Sequence, residues 1–323
     1  MNIKDYVRRN YKPIYRILQK TRRKFEGIQY REKKKSFGEL NPDKTFYIIR
    51  NKNHGIGLMA YYMSIIGDIY YAEKKGWIPV IDMKNYENPY LESSLVGKEN
   101  AWEYYFKQPC TYSLDEAYKS KNVVLSYGFT SRTGSPMSLY QSILDDPEYI
   151  EIAQNKMLFS DEMRKTIEIE YEKLFPKEGK VLGISSRGTD MLNFPGHSRL
   201  PTTVQLIDIS REKKIEFGCE FIFLATEEQS VIDQFREVFG DKLIVDNRMR
   251  YDGFKNSGKS VLVDMHFERD NDSYLKGKEY LTTVALLAKC DCMIGTLIGS
   301  TLGAICMNGN KYQNYEIIDL GKY

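Results

Sequence analysis

Three histidines and five cysteines in 323 residues leave little material for a metal centre. Cys110, Cys219, Cys290, Cys292 and Cys306 show no C-x-x-C spacing. An odd, scattered set is no disulfide framework and fits a reducing cytoplasm. Cys290 and Cys292 have no histidine beside them and read as small apolar fillers at a strand start. No apolar run reaches the roughly 18 residues that span a bilayer. The basic N-terminus lacks the apolar core of about 7–15 residues and the small-residue cleavage site of a signal peptide, so a cytoplasmic chain is expected. Neither GxxxxGK[ST] nor GxGxxG occurs, which removes the best support for a P-loop NTPase or a plain dinucleotide-binding protein. There is no internal repeat.

What is present is ordinary globular composition, 42% hydrophobic and 28% charged. The length suits two domains of about 150 residues, each able to bury a core. The net charge of +3 hides an asymmetry. Residues 1–38 carry 13 Lys/Arg against Asp5, Glu26 and Glu32, a charge of +10, and the other 285 residues sum to −7. A basic arm on an acidic body points to an anionic surface as partner.

The expected organisation is a basic arm at 1–39, one α/β domain at 40–175 and a second at 176–323. Thr45–Ile49 reads as a buried strand, 51–57 as a turn-rich loop, Leu58–Lys75 as a helix stopped by Gly76, and Trp77–Asp82 as a strand whose Pro79 suggests an edge or a bulge. Residues 86–127 are rich in aromatics, and helices fill 147–174. In the second half, strands are expected at Val181–Ser185, Glu220–Ala225, Lys242–Val245 and Cys292–Ile294. Helices are expected at Thr203–Phe217, Gln229–Phe239, Lys278–Lys289 and Thr301–Met307. The fold class is α/β, with two facing doubly wound domains and a cleft between them.

Three loops of the second half follow strands, at 185–190, 226–228 and 295–300. In open α/β sheets the strand C-termini share one edge, so these loops should converge. The first carries Arg187, whose planar fork suits a diphosphate. The third, with Gly295, Thr296, Ser300, Thr301 and a following helix N-terminus, reads as a phosphate cradle. Together they read as a nucleoside-diphosphate site. Taken singly, the cradle could be an ordinary strand–helix turn, Arg187 a surface partner of Asp190, Asp190 a cap or an orienter of Arg187, and His197 a loop histidine.

The stretch Gly183-Ile184-Ser185-Ser186-Arg187-Gly188-Thr189-Asp190 resembles the G-[IV]-x-x-R-x-T-D signature of the fucosyltransferase superfamily. That superfamily groups α1,6- and α1,2-fucosyltransferases with protein O-fucosyltransferases. Residues 223–228 and 288–296 resemble its second and third motifs. The Gly55/Gly57 loop, residues 76–82 and residues 100–106 resemble the N-terminal half of bacterial members encoded with surface-polysaccharide genes. The resemblance covers about residues 44–323 and implies a GT-B, metal-independent, inverting glycosyltransferase. It implies GDP-fucose as donor, no cofactor, and a glycan acceptor that is a surface polysaccharide or lipid-linked.

Carried over residue by residue, the resemblance puts Arg187 on the donor diphosphate and Asp291 on guanine. The donor set is then Gly55, Gly57, Ser185, Arg187, Thr226, Glu228, Asp291, Gly295, Thr296, Ser300 and Thr301. The catalytic set is Arg187, Asp190 and His197, with Glu228 a further choice of base. Two departures stand out: Ser185 where many members have histidine, and Ile298-Gly299 where many have paired serines. The aromatics at 86–112 could stack acceptor sugars or fill a core. Other readings are a GT-A enzyme using Asp270-Asn271-Asp272 as a DxD metal site, a non-catalytic glycan- or nucleotide-binding protein, and a nucleic-acid binder. The acidic body speaks against the last.

The arm generates a test. Near an anionic surface each Lys/Arg is worth up to about 1 kcal/mol, screened by salt. The full-length protein is expected to float with anionic liposomes at low salt and to be released at high salt. A chain starting at Glu39 should not float. Equal flotation of both would show that residues 1–38 are no membrane anchor.

Overall fold

The computed structural model describes residues 32–51, 56–127, 136–192, 196–259 and 261–323. In chain order the elements are β1 (Lys33–Lys35), β2 (Leu40–Ile49), α1 (Leu58–Lys74), β3 (Ile78–Ile81), α2 (Ala101–Tyr105), α3 (Leu114–Ala117) and β4 (Ser120–Leu125). Then come α4 (Pro136–Asp145), α5 (Pro147–Lys156), α6 (Asp161–Leu174), β5 (Val181–Ser185), α7 (Thr203–Glu216) and β6 (Phe221–Ala225). The chain continues with α8 (Gln229–Phe239), β7 (Leu243–Ile244), α9 (Asp272–Ala288), β8 (Cys292–Thr296), α10 (Gly299–Asn308) and β9 (Asn314–Ile318).

Two sheets form, ordered β1-β4-β2-β3 and β7-β6-β5-β8-β9. The second is wholly parallel. Its central strand, Val-Leu-Gly-Ile-Ser, is buried at all five positions, which is why it reads as a continuous apolar run rather than an alternation. From β5 the chain winds outward through β6 and β7, then returns to β8 and β9 on the other side. The switch point therefore lies between β5 and β8. In the first sheet β3 is the edge strand, as Pro79 requires. The helices start on local signals: Ser160 accepts from the Met163 N–H ahead of α6, and Thr202 with Gln205 closes a capping box on α7.

Three expectations change. The basic arm does not run unbroken to residue 39: Lys33–Lys35 pair antiparallel with β4 as an edge strand. Exposed lysines suit that place, because charge on an edge discourages further strand pairing. Glu32 fixes the entry by accepting from the Tyr47 and Tyr71 hydroxyls. Residues 1–31, and with them most of the expected membrane-binding arm, lie outside the described residues. Val261–Val263 reads from its composition as an apolar strand ahead of Asp270-Asn271-Asp272, but Leu262–Asp264 is one 3₁₀ turn. Finally, α9 begins at Asp272, before the expected Lys278, because Asp272 is buried in its first turn and held by Arg269.

The two sheets share a core. One apolar cluster runs from Tyr47 and Ile49 through α1, Tyr90, Trp102, Tyr105 and Ile152 to Val284, Leu302 and Ile305. Most of the aromatic stretch (Tyr86, Tyr90, Trp102, Tyr105, Phe106) is thus core. The Gln154 side chain donates to the Cys306 and Met307 carbonyls, and the Tyr105 hydroxyl donates to the Tyr274 carbonyl. At Gly277, inside α9, a Cβ would lie 2.2 Å from the Tyr105 hydroxyl oxygen. A mid-helix glycine costs about 1 kcal/mol against alanine, so its place here answers to this close approach. Gly277→Ala is therefore expected to destabilise the chain by about 1–3 kcal/mol through overpacking, despite the better helix propensity. A urea midpoint at or above that of the unmutated chain would show that the contact yields freely.

Candidate active site

The loops after β5, β6 and β8 meet at the switch point, as expected from topology. Ser185, the last residue of β5, lies 2.9 Å from Ser300 at the start of α10, oxygen to oxygen. No side chain caps α10, so its first N–H groups have no intrahelical acceptor and face the same edge.

The Arg187-Gly188-Thr189-Asp190 turn is built around two carboxylates. Glu227, 2% exposed, accepts from the Gly188 N–H at 2.9 Å and from the Thr189 hydroxyl at 3.0 Å. Its Oε1 lies 3.6 Å from Arg187 Nε. Asp190 accepts from Arg187 Nη2 at 2.7 Å with one oxygen and from the Leu262 N–H at 2.8 Å with the other. Burial works against the Arg187 charge, but Glu227 and Asp190 more than offset it and hold the guanidinium pKa above its ordinary value. Thr189 sits in the left-handed region at φ 49°, a strained setting for a β-branched residue, held by its bond to Glu227. At Gly188 a Cβ would meet the Glu228 carboxylate, the end of a flexible side chain that would have to swing aside.

Arg187 and Glu227 line a cavity of about 80 Å³ together with Gly57 and Tyr90 from the first half and Arg248, Leu262, Lys276 and Tyr280 from the second. Lys276, 4% exposed, donates to the Val263 and Met265 carbonyls; burial lowers its pKa and Asp272 opposes that shift. Burial raises the Tyr280 phenol, with Arg187 and Arg248 pulling the other way. A second hollow of about 450 Å³ shares Tyr90 and is lined by Tyr104, Tyr274, Glu92, Glu99, Glu103 and Glu162 among others.

Of the sequence-derived residues, Gly57, Ser185, Arg187, Asp190, Thr226, Glu228, Gly295, Thr296, Ser300 and Thr301 sit on or beside this edge. Thr226 is buried, and its carbonyl accepts from Arg248 Nη2 and Arg250 Nη1. Gly55 lies outside the described residues. His197 stands beside the chain end, its carbonyl accepting from the Tyr323 N–H, while Ser198 donates to the Leu297 carbonyl. Burial lowers the His197 pKa below its ordinary value.

Asp291 must be corrected. It precedes β8 and so lies at the opposite edge of the sheet, about 17 Å from the switch point along five residues of strand. There one carboxylate oxygen accepts from the Val181 N–H at 2.9 Å and the other from Gln313 Nε2 at 3.3 Å. It is a strand brace and no guanine acceptor. The DxD reading fares no better: the Asp272 carboxylate is taken up by Arg269 Nε and the Phe267 N–H. Arg248 and Lys276 were missed. Only the spacing of Arg248 and Arg250, just beyond a short strand, could have marked that segment.

No protein-family model and no curated protein matches the chain. Among solved structures, the fucosyltransferase NodZ from Bradyrhizobium superposes with a TM-score of 0.51 at 14% identity, over 86% of this chain and 95% of its own. The chain resembles that fucosyltransferase in fold. NodZ α-1,6-fucosyltransferase soaked with GDP-fucose gives 0.49 at 14% identity, over 82% of this chain and 92% of its own. POFUT1 in complex with GDP-fucose gives 0.47 at 10%, over 84% and 98%.

The place of Asp291 is open to test. Asp291→Ala removes the acceptor of a strand N–H and is expected to cost about 1–3 kcal/mol of stability. It should leave nucleoside-diphosphate affinity unchanged. A stable variant with weakened GDP binding would return Asp291 to the site.

Proposed function

We propose that the chain is an inverting glycosyltransferase of GT-B type that uses GDP-fucose and a glycan acceptor and needs no metal. The observation that carries the reading is the meeting of Arg187 and Arg248 with Gly57 and Tyr90 at one cavity. They do so at the C-terminal ends of β5 and β6 in a parallel sheet, in a chain with the fold of the Bradyrhizobium enzyme. The preference for GDP-fucose rests on the Arg187-Gly188-Thr189-Asp190 signature.

The chemistry follows from charge. As the bond between the sugar's anomeric carbon and the diphosphate oxygen breaks, negative charge grows on the leaving group. Preorganised guanidinium and helix N–H donors stabilise that charge without reorganising. The acceptor hydroxyl attacks from the opposite face and loses its proton to a base. Asp190 accepts on both oxygens, from Arg187 and from the Leu262 N–H; Glu228 and His197 are the other candidates for that role. The tyrosine- and carboxylate-lined hollow next to Tyr90 suits the acceptor, since phenol rings can stack sugar faces and carboxylates accept from hydroxyls. A cytoplasmic enzyme held at an anionic membrane by residues 1–38 would meet a lipid-linked acceptor there.

Two measurements test the reading. In a thermal-shift panel of GDP, UDP, CDP and dTDP, a ligand at 100 times its Kd adds about 2.7 kcal/mol of stability, and GDP should stand out. Arg187→Lys keeps the charge but loses the fork. Its kcat for sugar transfer is expected to fall about 10²-fold with the chain still folded and activity insensitive to chelator. Normal turnover in that variant would make Arg187 a purely structural partner of Glu227.

A further inference from the structure

Arg187 is well paired, and this limits what it can do alone. Asp190 and Glu227 already answer its charge, so the cluster of three is net acidic. The neighbouring arginines are also answered: Arg250 by Asp246, and Arg269 by Asp272 and Glu279. Arg248 differs. Among the described residues no carboxylate pairs with it, and its contacts are the Thr226 carbonyl at 2.7 Å from Nη2 and the Tyr280 ring, whose centroid is 5.8 Å from its Cζ. Its Nε is buried and has no hydrogen-bond partner. A cation held in a partly buried cavity without a counter-charge is costly, as is a buried N–H without an acceptor. The missing counter-charge would be supplied by one anion in the cavity that Arg248 shares with Arg187.

We infer that Arg248 is a principal diphosphate-binding arginine, supplying the uncompensated positive charge, while Arg187 supplies a fork held in place by its carboxylates. The inference deepens the transferase reading and rests on it only for the identity of the anion's carrier. The Arg248 guanidinium is positioned before the ligand arrives. Its stem follows β7, Thr226 fixes one nitrogen, and the Tyr280 ring covers the flat face. Lys276 differs from it, since a carboxylate answers its charge, Asp272 at 3.9 Å, while two backbone carbonyls take up its donors.

The test uses inorganic pyrophosphate, GDP and guanosine as calorimetric titrants. Arg248→Gln should lose about tenfold or more in affinity for GDP and pyrophosphate, with a shallower salt dependence, and leave guanosine unchanged. Arg248→Lys should recover part of the loss, which a purely structural role would not allow. In the unmutated chain, pyrophosphate should shift the Arg248 guanidinium N–H resonances more than those of Arg250. That measurement holds even if the glutamine variant does not fold. Wild-type affinity for GDP and pyrophosphate in Arg248→Gln, or no shift at Arg248, overturns the inference. A wild-type chain that binds pyrophosphate through Arg248 but no nucleotide would remove the transferase reading and leave the anion site standing. One that binds neither overturns both.

Discussion

Glu227 is the fixed point of this protein's working edge. A buried carboxylate must find enough donors to replace its lost water. This one finds the Gly188 N–H and the Thr189 hydroxyl, with Arg187 Nε beside them. In doing so it draws the loop after β5 onto the loop after β6, bends Thr189 into a conformation it would not otherwise hold, and aims the arginine. Asp190 carries the same logic one step further, reaching from Arg187 to the backbone at Leu262 and so bringing in a third segment. Wall after wall of the cavity hangs on this small set of charges.

That arrangement also divides labour among cations. A guanidinium that is paired twice is rigid, and a rigid fork gives directional recognition at little cost in reorganisation. It contributes less net charge. The charge comes from Arg248, on a segment without regular secondary structure. Recognition geometry and electrostatic pull thus reside on different residues of the same edge.

Much of the second half was legible in the sequence, because buried parallel strands are short apolar runs bounded by turns. Val181–Ser185 and Gln229–Phe239 fall on their expected bounds. Ser120–Leu125 and Asn314–Ile318 were not seen, since each mixes polar with apolar residues and only pairing makes it a strand. The convergence of the three loops followed from topology alone. Asp291 was misplaced although topology could have placed it: a residue that precedes a parallel strand belongs to the far edge from one that follows its neighbour. The motif resemblance overrode that geometry. Arg248 was illegible because what distinguishes it is the lack of a counter-ion, which only three-dimensional packing reveals.

The apolar cluster common to both sheets has a mechanical consequence. Lobes that meet through a thin hinge can gape to admit a ligand and close over it. Here α1 and α10 are keyed together at Met59, whose side chain occupies the space beside Gly299 and Gly303. Swinging one half away from the other would expose that cluster to water at about 25 cal/mol for each Å² uncovered. The covering segment around Leu262 and Val263 is held by one Asp190 contact, by two carbonyls on Lys276 and by the packing of Leu262 on Tyr251 and Phe254.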